Sequence, residues 1–150
     1  RFANVANING SVIPFWKNLL AQNLPLKLTD PKMNRLIFSK EASAELIHNA
    51  CVYAEKFKSS FILSNIMKTV NMLDLAKLMS DKDPIIVGLR PGEKLNETLV
   101  SQKEVLNTKV ENNLIFIFDK SQDPNFNIKN EHSSLTANKM PQTELKKLIQ

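Results

Sequence analysis

Only three glycines, Gly10, Gly88 and Gly92, occur in 150 residues, and their spacing restricts what the chain can build. A G-x-G-x-x-G dinucleotide fingerprint needs three glycines within six positions, so none can exist here, and no phosphate-cradling P-loop is present either. Tyr53 is the only tyrosine, and the residue four positions on is Phe57. A Tyr-x-x-x-Lys pair for hydride chemistry is therefore missing as well. By itself the chain is expected not to complete a redox reaction.

What it does carry is an alternation of helical periodicity with short apolar runs. Asn9-Gly10 signals a turn, and Ser11 can cap a helix in which Val12, Phe15, Trp16, Leu19 and Leu20 recur at helical spacing. Pro14 falls early enough to be tolerated in the first turn. Leu26 to Thr29 reads as a short extended segment, turned by Thr29-Asp30-Pro31, and Leu36 to Phe38 reads as another strand. Ser39 can cap a second helix running through Tyr53, with Leu46, Ile47, Ala50, Cys51 and Ala54 as its apolar stripe. Phe61 to Leu63 and the β-branched run Ile85 to Val87 read as strands. Between them Asn71, with Asp74 three residues on, resembles a capping box opening a helix with Leu75, Leu78 and Met79. Leu114 to Phe118 is a strongly apolar strand, and Glu144 to Ile149 a closing helix. Strands alternating with helices imply a layered α/β fold.

Composition excludes several function classes. The net charge of +5 and pI near 9.4 come from dispersed basic residues. No aromatic residues alternate with them as a base-stacking surface would require, so nucleic acid is not an expected partner. One cysteine and two separated histidines, His48 and His132, leave no structural zinc site. No apolar run approaches the ~20 residues that span a bilayer, and no signal-peptide pattern opens the chain. A cytoplasmic setting is expected, although a longer parent could carry a membrane anchor. The start at Arg1 reads as a fragment or a processed product.

Three segments could carry chemistry. In Gly88–Glu97, the turn Pro91-Gly92 is flanked by Arg90, whose planar fork suits a diphosphate, and by Glu93, which can accept from hydroxyls or orient the arginine. In Thr29–Arg35, Arg35 stands where a strand begins after a turn. Asn4-Val5, followed by a polar turn and the helix at Ser11, makes an anion-facing corner. On spacing alone each of these also fits a solvated surface turn. Trp16 and Cys51 read as core residues, and His48 as structural or surface. The pairs Glu93/Glu97 and Glu41/Glu45 read as solvent faces of helices.

The three segments together resemble a known family. RFANVANINGSVIP at Arg1 to Pro14, TDPKMNR at Thr29 to Arg35 and GLRPGEKLNETLVS at Gly88 to Ser101 are similar, in order and distance, to the UDP-N-acetylglucosamine 4,6-dehydratases of polysaccharide and flagellin-glycan synthesis. Glu131 to Asn138 resembles that family's terminal serine-serine-asparagine segment. The resemblance implies the C-terminal part of an extended short-chain dehydrogenase/reductase, a Rossmann-type fold with a small substrate-binding α/β subdomain. It implies a UDP-sugar as ligand, NADP or NAD held mainly by a separate N-terminal half, and a homo-oligomer when complete. Residue by residue, Asn4 contacts substrate, Val5 neighbours the nicotinamide and Val12 lies against the nucleotide. Arg35 and Arg90 hold the diphosphate, and Glu93 binds ribose hydroxyls or positions Arg90. Ala3 stands where the family has glycine, Asn7-Ile8-Asn9 where it has a small-residue-and-arginine turn, and Asn34 where threonine is usual. A UDP-sugar epimerase and a non-catalytic nucleotide-sugar-binding module are the alternative readings.

Overall fold

A computed structural model describes residues 1–57, 59–119 and 128–149. Two small three-stranded sheets, each with its own apolar core, organise the chain. In the first sheet β1 (Asn4–Val5) runs parallel to β3 (Asn34–Phe38), which pairs antiparallel with β5 (Lys68–Asn71). Helix α1 (Val12–Ala21) packs here through Ile13, Trp16 and Leu19, with α3 (Met72–Met79) and α4 (Gln142–Ile149) beside it. Trp16 is buried as expected, and its indole N–H donates to the Lys27 carbonyl at 2.9 Å. That bond ties α1 to β2 (Lys27–Leu28), which pairs parallel with β6 (Ile85–Ile86).

The second sheet places β9 (Leu114–Phe118) between β4 (Phe61–Asn65) and β8 (Thr108–Glu111), all antiparallel. All five β9 residues are buried, as a central strand covered on both faces requires. Helix α2 (Lys40–Lys56) covers one face with Tyr53, next to Phe57 just past its end. The short pair β7 (Thr98–Val100) and β10 (His132–Ser133) closes the fold.

The helix starts are close to those read from sequence. Ser39 accepts from the Ala42 N–H at 3.1 Å, and Asn71 Oδ1 accepts from both Leu73 and Asp74 N–H groups. Ser11 has the extended backbone of a cap, but its hydroxyl makes no capping bond. Strands β5, β7, β8 and β10 were not signalled by periodicity.

Two expectations are corrected. Cys51 is exposed, not core. Of the expected stripe on α2 only Leu46 is fully buried, and Ile47 is 56% exposed, because contact runs along Leu46, Ala50, Tyr53 and Phe57, a line at i, i+4, i+7 and i+11. Ile47 and Cys51 lie just beyond it. Glu93 and Glu97 sit in an irregular loop, not on a helical face.

At the edge of the second core Glu104 accepts from Arg1 at 2.8 and 3.1 Å and from the Ser101 N–H and hydroxyl at 2.9 and 2.8 Å. The Arg1 guanidinium, ahead of the Ser101 donors, holds its carboxyl down at about 2. A depressed carboxyl stabilises the fold above its unfolded value near 4.5 and loses that contribution as pH falls toward the folded value. Both side chains are about 30% exposed, so screening limits the effect to about 1 kcal/mol. Glu104→Gln is expected to lower stability by that amount at pH 7 in urea titrations. The gap from the native protein should shrink to roughly half by pH 3, and a gap that is constant with pH would contradict this.

Candidate functional site

A cleft of about 680 Å³ opens between the first sheet, the start of α1 and the β2–β6 pair, and Asn4, Val5, Val12, Arg35, Arg90 and Glu93 all line it. These six come from four chain segments, so the fold gathers what the sequence leaves dispersed. Parallel pairing of β1 with β3 sets Asn4 opposite Ile37 and brings it beside Arg35. The β2–β6 pair, extended by the Val87 and Gly88 N–H groups on the Leu28 and Thr29 carbonyls, aims the next loop at the cleft.

That loop makes a tight turn for a clear reason. Glu93 N–H donates to the Arg90 carbonyl at 3.0 Å, with Pro91 at the second position and Gly92 at the third with φ +80°. This is the type II pattern, which requires a left-handed residue at its third position. Glu93 Oε2 accepts from the Arg90 backbone N–H at 3.2 Å. Glu93 thus fixes the turn, while the Arg90 guanidinium is exposed and makes no hydrogen bond or ion pair among the described residues.

Arg35 is in a different situation. Its side chain is only 11% exposed, with Nε 3.3 Å from Glu97 Oε1 and Nη2 3.6 Å from Glu93 Oε1. Its Nη1 donates to the Asn34 and Leu95 carbonyls at 3.0 and 3.1 Å. Most of its donors are spent on the protein, and only Nη2 retains capacity for a ligand.

At the start of α1 the backbone N–H groups of Val12 and Ile13 make no hydrogen bond among the described residues, and Pro14 has none to offer. The buried Ser11 hydroxyl also lacks a partner. Two free N–H groups at the positive end of a helix favour a negatively charged ligand. Asn7 enters this corner with φ +56°, a conformation asparagine tolerates, and its amide donates to the Leu148 carbonyl.

Several residues at this site were given no role there from the sequence. Glu97 accepts from Asn4 Nδ2 at 2.8 Å and forms an ion pair with Arg35, Oε1 to Nε at 3.3 Å. Asn34 donates to the Lys32 carbonyl and Asn96 Oδ1, and accepts from Asn71 at 3.3 Å. Its two-donor amide knits three loops together where a threonine could offer one donor. Ser134 brackets Glu97, accepting from its N–H at 2.9 Å and donating its own N–H to its carbonyl at 2.8 Å. The serine-serine segment was noted in the sequence, but no contact was assigned to it.

A larger hollow of about 900 Å³ lies between α2 and β4, lined mainly by apolar side chains such as Leu46, Ala50, Phe61 and Ile62. Its charged and hydroxyl lining is limited to Arg1, whose guanidinium is engaged by Glu104 and the Leu99 carbonyl, and to Ser59 and Ser60, so chemistry favours the smaller cleft over the larger one. Among the described residues no group of three or more potential metal-ligating side chains occurs, and no helix is long and apolar enough to cross a membrane.

Fold and site together define a mixed α/β domain with a polar cleft that offers an exposed arginine and a helix start. The chain belongs to the polysaccharide biosynthesis protein family, whose pattern it matches over residues 1–120. It is 31% identical to an uncharacterized membrane protein of Methanocaldococcus jannaschii, covering 99% of this chain and 47% of the relative. It is 34% identical to the inverting UDP-N-acetylglucosamine 4,6-dehydratase of Campylobacter jejuni, over 69% of this chain and 31% of that enzyme. The identity to the UDP-glucose 4-epimerase of Rickettsia bellii is also 34%, over 70% of this chain and 31% of the relative. The crystal structure of Pen from Bacillus thuringiensis superposes with a TM-score of 0.82 at 26% identity, over 99% of this chain and 47% of Pen. The chain therefore spans at most about half the length of these relatives, and the α/β fold expected from its sequence is shared along nearly its whole length with a solved one.

Proposed function

We propose that this chain is the UDP-sugar-binding portion of a UDP-N-acetylglucosamine 4,6-dehydratase, with redox chemistry supplied by a part of the enzyme beyond these residues. The observation that carries the reading is the convergence of Asn4, Val5, Val12, Arg35, Arg90 and Glu93 on one cleft. Arg90 grips the diphosphate, assisted by the free N–H groups of Val12 and Ile13 and by the remaining donor of Arg35. Glu93, already fixing the Arg90 turn, has acceptor capacity left for ribose hydroxyls. Asn4 contacts the sugar.

NADP or NAD, bound mainly outside this chain, would supply oxidation at the sugar C4 and return of the reducing equivalents at C6. The only group here assigned to it is Val5, a half-buried apolar side chain on the cleft wall, which suits contact with a flat ring and nothing more. Fixing the diphosphate sets where the sugar carbon lies, and such positioning can account for several powers of ten in rate.

Calorimetry of the chain with UDP and with UDP-N-acetylglucosamine tests the reading. Dissociation constants in the micromolar range, about −8 kcal/mol, are expected, and no heat of binding at millimolar ligand would overturn it. The epimerase reading stays open because the Rickettsia relative is equally similar. Incubating the full-length enzyme with UDP-N-acetylglucosamine separates the two, since a dehydratase yields a 4-keto-6-deoxy product and an epimerase yields a 4-epimer.

A further inference from the structure

One carboxylate outside the six assigned residues joins two of them. Glu97 lies in the loop between β6 and β7, and its two oxygens reach different strands. Oε2 accepts from the Asn4 amide on β1 at 2.8 Å, and Oε1 takes the Arg35 Nε on β3 at 3.3 Å. Its own backbone is held at both ends by Ser134, which is 1% exposed. Ser134 is in turn anchored through its carbonyl, which accepts from the Thr69 hydroxyl on β5 at 2.6 Å.

This arrangement determines which way the Asn4 amide faces. Both Nδ2 hydrogens have acceptors, the Leu36 carbonyl at 3.1 Å and the Glu97 carboxylate at 2.8 Å. Rotating the amide by half a turn would set Oδ1 against those two acceptors, one of them charged, and leave the N–H group unpaired. Oδ1 makes no hydrogen bond among the described residues. Asn4 also borders a second hollow of about 420 Å³, shared with Glu97, Lys94 and Thr98, so it stands between the nucleotide cleft and a second polar space.

We propose that Glu97 is a positioning residue that locks Asn4 as a hydrogen-bond acceptor, so that the site requires a ligand donor, a hydroxyl or amide N–H, at that point. The inference deepens the UDP-sugar reading and rests on it for the identity of the ligand. UDP alone brings no sugar hydroxyl to Asn4, whereas UDP-N-acetylglucosamine brings hydroxyls and an amide. Glu97 is therefore a determinant of preference for the sugar-bearing ligand, acting through Asn4 without touching the ligand itself.

The test uses Glu97→Gln and Glu97→Asp in the full chain, with Asn4→Ala and the Asn4→Ala/Glu97→Gln double variant. Glutamine can accept from only one of the two partners and presents an N–H to the other, so the Asn4 amide either loses this acceptor or keeps a neutral one in place of a charged one. The side-chain NH2 resonances of Asn4 in a ¹⁵N–¹H spectrum, assigned by their loss in Asn4→Ala, should move in Glu97→Gln, in a protein that still melts cooperatively. Calorimetry should show the preference for UDP-N-acetylglucosamine over UDP falling about tenfold, with no further fall when the same change is made on Asn4→Ala. Unmoved Asn4 resonances in both Glu97 variants, or additive losses in the double variant, would overturn the proposal. If the native chain binds neither ligand, the UDP-sugar reading fails, while the resonances still decide the role of Glu97.

Discussion

Replacing Phe116 by alanine is expected to cost about 3–5 kcal/mol of stability, the range for truncating a buried aromatic. Phe116 is fully buried on the central strand β9 and pairs in register with Leu63 and Lys109. Its ring meets Tyr53 edge-on at 4.8 Å and Phe57 at 5.5 Å, with Phe61 at 6.0 Å on the neighbouring strand. Removing it opens a void among rings that cannot collapse together, since Phe57 is also wedged against Phe61 and Phe118. For a domain of this size the loss corresponds to a fall in melting temperature of roughly 10 °C. Phe116→Leu, which keeps most of the volume, should lose much less. Denaturant titrations of the three proteins measure this, and a cost below about 1 kcal/mol for alanine would mean that β9 is not the centre of the second core.

The same core shows which features were legible in the sequence. Leu114 to Phe118 is apolar at every position, and a continuous apolar run has few solutions other than a covered strand. Caps at Ser39 and Asn71 were equally readable, because the acceptor and its N–H donors lie within three residues. Strands β5 and β7 are short and mixed in polarity, and their partners lie far away in sequence, so no local pattern marks them. Strand β8 pairs with its neighbour β9 across Asn112-Asn113, both at positive φ, a local hairpin turn that the reading of the sequence passed over. Cys51 was misplaced because a helix stripe drawn from apolar residues is broader than the contact line that one sheet face can fill.

The cleft divides in the same way. Its six assigned residues were found through resemblance, where spacing alone fitted ordinary surface turns. Glu93 and Glu97, four apart, look like a helical face until the backbone is seen. Pro91-Gly92 turns the chain, and Ser134, 37 residues on, pins Glu97 from outside the loop. Such a long-range hydrogen bond leaves no trace in local periodicity. Nor does the sequence separate Arg35 from Arg90. Two arginines that were expected to share the diphosphate are an enclosed, mostly satisfied guanidinium and an exposed one without a partner among the described residues.

That difference leads to the second large effect. Arg90→Gln is expected to weaken UDP binding about 10- to 100-fold, the range for one charge-assisted contact, without changing the melting temperature. Arg90 contributes no side-chain bond to the fold, and the turn that carries it is closed by backbone groups and Glu93. Arg90→Lys should fall between the two, because an ammonium keeps the charge but lacks the planar fork that can meet two phosphate oxygens at once. Arg35→Gln should behave the opposite way. It leaves Glu93 and Glu97 facing each other without the guanidinium that now lies within 3.6 and 3.3 Å of them, so it should lower the melting temperature as well as affinity. Salt adds a further check, since an exposed cation loses its hold on a phosphate as ionic strength rises. Native affinity for UDP should therefore drop between low and moderate salt, and the Arg90→Gln protein should show a flatter dependence. Calorimetry at two salt concentrations, alongside thermal melts, reads both quantities. If Arg90→Gln binds UDP as well as the native chain does, the diphosphate is held elsewhere, and the turn at Pro91-Gly92 does not serve to present a cation.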